Sequence, residues 1–161
     1  MPVELTDSQI AQLLGEKKKL PDNYRERLLQ MKEKRGHKES EIDIKGESGG
    51  VYRLILRKSN SNMLDFSVIL AYEMPNSNKI FRLRRYNGKH RHTNHLEKQT
   101  IYDFHIHQAT ERYQQLGSDE DRYANASSTF SNIETALDRM IDECNFLPPE
   151  GERLQISLEL Q

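Results

Sequence analysis

The chain has no tryptophan, one cysteine, and no surplus of either charge, with 24 lysines and arginines against 25 acids. Each shortage excludes something. A lone Cys144 cannot close an internal disulfide, so a cysteine-stapled secreted scaffold is not expected, and its place on a helical apolar face suits small core filler better than a nucleophile. No apolar run approaches the roughly 20 residues needed to span a bilayer. The start, Met1-Pro2-Val3-Glu4-Leu5, lacks the basic and apolar regions of a signal peptide. The expected location is therefore the cytoplasm, with no membrane partner. A net charge of −1 argues against a surface coated in positive potential. There is no internal repeat and no low-complexity tract.

What is present reads as one α+β domain over 1–161, with hydrophobic residues at 35% arranged in periodic blocks. The expected architecture is an antiparallel β-sheet meander of about five to six strands, with two N-terminal helices and a C-terminal amphipathic helix packed on one face. Residues 1–37 form the N-terminal helical segment, 38–107 the sheet, and 108–161 helices and a final strand.

Thr6 and Gln9 are spaced as a capping box ahead of Ile10, Leu13 and Leu14. A second helix is expected from Pro21, with Tyr24, Leu28 and Met31 on one face, stopping at Gly36. Lys17-Lys18-Lys19 between them reads as a solvated linker. From Ile42 the period becomes two. Strands follow through Ile42 and Ile44, through Tyr52 to Leu56 after the Gly49-Gly50 turn, through Leu64 to Tyr72, and from Ile80 to Tyr86. A fifth strand, Thr100 to His107, places Tyr102, Phe104 and Ile106 on the core side and Ile101, Asp103, His105 and His107 on the other. A short helix through Tyr113 to Gly117 is expected next. Ser131 and Glu134 are then spaced as a capping box before the stripe Ile133, Leu137, Met140, Ile141 and Cys144, which Pro148-Pro149 ends. Leu154 to Leu160 alternates as a closing strand.

Charge and histidine are unevenly spread. Between Lys79 and Lys98 the chain carries Lys79, Arg82, Arg84, Arg85, Lys89, Arg91 and Lys98 against Glu97 alone, an imbalance that attracts phosphate. Five of the six histidines fall between His90 and His107. Asp119, Glu120 and Asp121, by contrast, read as a solvated acidic loop.

Three readings fit this segment. In the first, a neutral histidine takes a proton from a ribose 2′-hydroxyl and a protonated one gives a proton to the leaving oxygen. His105 and His107 are the pair and Asp103 orients an imidazole. Arg82 and Arg84, sharing one strand face, hold phosphate with Arg85, Lys89, Arg91 and Arg112, and Tyr113 adds a base contact. In the second, His90, His92, His95, His105 and His107 supply ligands for zinc, copper or nickel, with Asp103 in support. In the third, histidine and arginine simply form a solvated or partner-binding outer face of the sheet.

The string Arg85-Tyr86-Asn87-Gly88 with His90 and His92, followed by Phe104-His105-Ile106-His107, resembles the TumE-type toxins of prokaryotic toxin–antitoxin modules. The resemblance covers Arg82 to His107. It implies a small cytoplasmic effector that acts on RNA or translation and is restrained by a cognate antitoxin or another protein partner, while the rest of the chain looks like a small prokaryotic or phage family.

Overall fold

The computed structural model describes residues 3–149. The predicted capping box starts α1 (Asp7–Gly15): Thr6 Oγ1 accepts from the Gln9 amide at 3.1 Å, and Gln9 Oε1 accepts from the Thr6 amide at 2.8 Å. The chain continues as β1 (Lys18–Lys19), α2 (Tyr24–Leu29), β2 (Lys32–Lys34), β3 (His37–Lys45), β4 (Val51–Ser59), β5 (Phe66–Glu73) and β6 (Ile80–Asn87). Then come β7 (His92–Asn94), β8 (Gln99–Ile101), β9 (His105–Gln108), α3 (Glu111–Gln115), β10 (Tyr123–Ala126), α4 (Ile133–Glu143) and β11 (Phe146–Leu147).

Seven strands form one antiparallel sheet in the order β10-β9-β6-β5-β4-β3-β2. The α+β meander is as expected, and the short edge strands β2 and β10 extend it to seven. One face carries the alternating residues Tyr52, Leu54, Leu56, Val68, Leu70, Phe81, Leu83 and Tyr86, which share a core with Leu137 and Met140 of α4. Among the described residues no helix is long and apolar enough to cross a membrane.

Four local expectations give way. The second helix ends at Leu29, because Lys32 to Lys34 pair with His37 to Glu39 as a hairpin. Gly36 serves the hairpin turn at φ 76°, a left-handed conformation that suits a turn as well as a helix cap. Lys18 is fully buried in a β1–β11 pair, and its ammonium donates to the carbonyls of Leu14, Glu16 and Cys144 at 3.0, 2.7 and 2.8 Å. Those bonds satisfy a charge that burial still pushes down to a pKa of about 8. The α4 box is built by Asn132 and Thr135, one residue later than expected. The fifth strand is interrupted, since β8 and β9 are separate and Tyr102 between them is 69% exposed, outside the core. The closing strand through Leu154 to Leu160 lies outside the described residues.

Candidate histidine site

The site is built on β6 and β9. Tyr86 pairs with Ile106, and both turn toward the core. Their neighbours therefore turn the other way: Arg85 opposite His107 and Asn87 opposite His105, all on the outer face. A bulge in β6 sets this phase. Leu70 pairs with Arg84 and Ala71 with Arg82, leaving Leu83 as the extra residue. Arg82 and Arg84 therefore do not share a face as simple alternation predicts. Arg84 Nη1 lies 3.9 Å from Cys144 Sγ, whereas Arg82 and Arg85 both reach the buried Asp121.

The outer face is not solvated here. His105 and His107 are 0% and 2% exposed. The β7–β8 hairpin accounts for this, because its buried residues His92 and Asn94 lie over β9 and β10. Asn94 makes the join: its Nδ2 donates to the Ala124 carbonyl at 2.7 Å and its Oδ1 accepts from the Ala124 amide at 2.9 Å. Arg112 and Tyr113 hold the same hairpin from α3, the guanidinium 2.6 Å from Glu97 and the phenol donating to Glu97 at 2.7 Å. Tyr113 is fully buried, so it latches the hairpin and is not presented as a nucleic-acid contact, whereas the Arg112 side chain is half exposed beside Glu97.

The closed hairpin brings the two histidine groups together. Ring centroids stand 4.8 Å apart for His90 and His105, 5.6 Å for His92 and His105, 4.5 Å for His92 and His107, and 4.9 Å for His105 and His107. Their hydrogen bonds assign the protons. His105 Nδ1 donates to the Asp103 carbonyl at 2.8 Å and His107 Nδ1 to the Asp121 carbonyl at 2.9 Å, since a carbonyl only accepts. His92 Nε2 donates to Asn94 Oδ1 at 3.0 Å. His105 Nε2 and His107 Nε2 are thus bare acceptor nitrogens, buried and without a hydrogen-bond partner among the described residues. Orienting an imidazole through a carbonyl on its far nitrogen is the arrangement that leaves the near one free for a ligand.

Burial keeps the rings neutral. Desolvation pushes His105 down to about 4, with the neighbouring His90 and His92 adding to it. Desolvation and then Arg85 push His107 down to about 2. His90 and His92 are lowered for the same first reason. At neutral pH, His105 and His107 are accordingly two acceptors, and in the free protein neither is the protonated acid of the expected acid–base pair. Asp103 differs from expectation too. Its carbonyl orients His105, while its exposed carboxylate accepts from the Phe104 amide at 2.9 Å and lies 4.0 Å from Lys89.

Beside the rings is a pocket of about 460 Å³. Arg85, Arg91 and Arg122 line it with His90, His92, His95 and His107, and Thr93 completes the wall. No carboxylate is among its lining residues. No family model, no curated protein and no solved structure matches the chain. The pocket is therefore read from its own chemistry. Among the described residues no three histidine, cysteine, aspartate or glutamate side chains are placed to share a metal ion, so the five-histidine ligand set is not assembled. Lys89 lies outside the pocket, 5.2 Å over the Phe104 ring.

Three important residues carried no readable signal. Arg122 enters the pocket from the turn before β10, with Nη2 3.1 Å from His95 Nε2. Nothing in the sequence sets Asn94 apart from other loop polar residues. Asp121 belonged to an apparently solvated acidic run yet is 1% exposed. A hydrophobic or histidine pattern cannot reveal any of them, because each acts through a contact distant in sequence.

Proposed function

We propose that the protein acts on RNA as a toxin-like effector, holding a backbone phosphate in the histidine–arginine pocket. The observation that carries this reading is the lining itself: three guanidiniums, four imidazoles and no carboxylate, beside the bare Nε2 of His107. Guanidiniums match phosphate oxygens in geometry as well as charge. A neutral imidazole acceptor beside them suits a ribose 2′-hydroxyl, the group that distinguishes RNA from DNA.

Cleavage without a metal requires one further step. A phosphate entering beside the neutral rings of His90, His92 and His107 supplies the negative charge that favours an imidazolium, so one histidine gains the proton needed for a general acid only when substrate is bound. The resemblance to TumE-type toxins supports the same class of target and implies a restraining protein partner.

The test is incubation of purified protein with single-stranded RNA in EDTA, with binding and cleavage read separately. Binding that weakens steeply with salt, and cleavage abolished by His107→Ala, are expected. Binding without cleavage would leave a non-catalytic RNA-binding module. Neither binding nor cleavage would end the reading.

A further inference from the structure

Asp121 stands behind the pocket and touches two of its working parts. Its backbone carbonyl accepts from His107 Nδ1 at 2.9 Å, which leaves His107 Nε2 bare. One oxygen of its carboxylate lies 3.3 Å from Arg85 Nε and the other 3.4 Å from Arg82 Nη2. These contacts are ion pairs without hydrogen-bond alignment, since both carboxylate oxygens lack a hydrogen-bond partner.

The two arginines differ in what this leaves free. Arg82 is occupied on several sides: its Nε reaches Glu120 at 3.3 Å, its backbone amide donates to the same carboxylate at 3.0 Å, and Nη2 lies 3.7 Å from Asp119. Arg85 is held by Asp121 at Nε and lines the pocket. A guanidinium gripped at Nε presents its two Nη groups, which form the fork that engages a phosphate.

A buried carboxylate with no ligand of its own is costly unless paired. Burial indeed raises the pKa of Asp121, against the pull of Arg85 and Arg82. Such a group in a solvated acidic loop would have no reason to turn inward. Here the same residue sets the tautomer of the acceptor and the direction of the cation.

We infer that Asp121 is a positioning residue for the pocket, its carbonyl fixing His107 with Nε2 free and its carboxylate aiming Arg85 at a bound phosphate. The inference rests on the phosphate-pocket reading, and it makes a prediction opposite in sign to simple electrostatics. Asp121→Asn raises the net charge by one, so if the carboxylate were only a competing anion, RNA would bind more tightly. If it positions Arg85, RNA binds more weakly.

The experiment measures the affinity of a short oligouridine at fixed pH and salt for the wild type, Asp121→Asn, Arg85→Gln and the double variant, after circular dichroism confirms folding. Asp121→Asn is expected to lose about tenfold, on the scale of one hydrogen bond to a charged group. The double variant should be no weaker than Arg85→Gln alone, because both substitutions remove one contact. Unchanged or tighter binding by Asp121→Asn, or additive losses, overturns the inference. Should Asp121→Asn fail to fold, Arg85→Lys, which keeps the charge but has no Nε, must show the same tenfold loss, and full affinity would count against it. Should the wild type bind no RNA, the pocket reading fails and positioning is still decided by nitrogen-15 NMR: a resolved Arg85 Nε–H signal must be present in the wild type and broaden into exchange with solvent in Asp121→Asn. An Arg85 signal indifferent to the substitution refutes it.

Discussion

Asn94 grips the backbone of Ala124 with both ends of its amide, donating at 2.7 Å and accepting at 2.9 Å, and takes a third bond from His92 at 3.0 Å. A side chain thus does what a neighbouring strand would do for the edge of β10, and in doing so closes the hairpin over the histidines. Asn94→Ala leaves a buried amide and a buried carbonyl without partners. A loss of about 2–4 kcal/mol is expected, summing the penalty for two stranded groups. Denaturant unfolding measures it. A loss under about 0.5 kcal/mol, the usual range for a surface substitution, would show that the hairpin is held by other contacts.

Stability should fall on mild acidification. Free imidazole in an unfolded chain titrates near 6.5, whereas the folded values for His105 and His107 are about 4 and about 2. Above pH ~6.5 both states are neutral and the two rings contribute no pH dependence. Below that pH the unfolded chain binds protons that the fold refuses, so stability declines by up to about 1.4 kcal/mol per pH unit for each ring. The window runs from about 6.5 to about 4 for His105 and further, toward about 2, for His107. His90 and His92 act in the same direction, and Asp121, raised by burial, offsets part of the loss. Urea midpoints at pH 7.5, 6 and 5 check this. A level profile would mean that the rings accept protons within the fold.

Arg82 and Arg122 should exchange the roles that sequence order suggests. Arg82 belongs to the basic strand but is engaged by Asp119, Glu120 and Asp121, whereas Arg122 adjoins the acidic run but lines the pocket. Arg122→Ala is expected to weaken RNA binding and flatten its salt dependence by about 0.7 in log–log slope, the share of one phosphate contact on a single strand. Arg82→Ala should leave that slope unchanged. Equal effects from the two would indicate a diffuse basic surface.

This exchange shows where the sequence could be read and where it could not. Alternation in Tyr52 to Leu56 gives β4 and its core face, because a half-buried strand writes its burial pattern in every second residue, and Phe66, Val68 and Leu70 mark the core face of β5, although Ile69 and Ala71 on its other face are buried too. It also singles out His105 and His107 as partners on one face. The bulge at Leu83 has no such signature, since one extra residue changes the phase without changing composition. Burial of the histidines was equally invisible. Those rings sit on the outer face of the sheet, and contacts distant in sequence, such as the bonds between Asn94 and Ala124, 30 residues apart, and between Tyr113 and Glu97, hold a second layer over them.

Gly88 should tolerate no side chain. It follows Asn87 at the end of β6, where a Cβ would lie 1.8 Å from the Leu64 carbonyl oxygen and 2.8 Å from its carbon. Those atoms are backbone, fixed by the bond from Lys89 N to the Leu64 carbonyl at 2.8 Å, so the chains must separate. Gly88→Ala is expected to cost about 1–3 kcal/mol, as for other forced overpacking. It should also displace His90 from its 4.8 Å contact with His105 and weaken RNA binding. A variant as stable as wild type by urea midpoint would show that the loop carrying Leu64 moves freely.

Phosphate binding should take up protons. Neutral rings of His90, His92, His105 and His107 are held within 4.5–5.6 Å contacts of one another beside Arg85 and Arg122, with Asp121 behind and Asp65 3.9 Å from His90. An arriving phosphodiester places a negative charge against these rings and raises their affinity for protons. By linkage, a ligand that raises a site's proton affinity must itself bind more tightly as pH falls, by up to about tenfold per pH unit for each proton taken up. The probe is a short RNA without terminal phosphates, whose backbone charge stays constant across this range. Calorimetry between pH 7.5 and 6, in buffers of different ionisation enthalpy, should show tighter binding at the lower pH and a buffer-dependent heat. Binding that is equally tight at both values, with one heat in every buffer, would mean that phosphate is held by the guanidiniums alone and that the histidines do not respond to it.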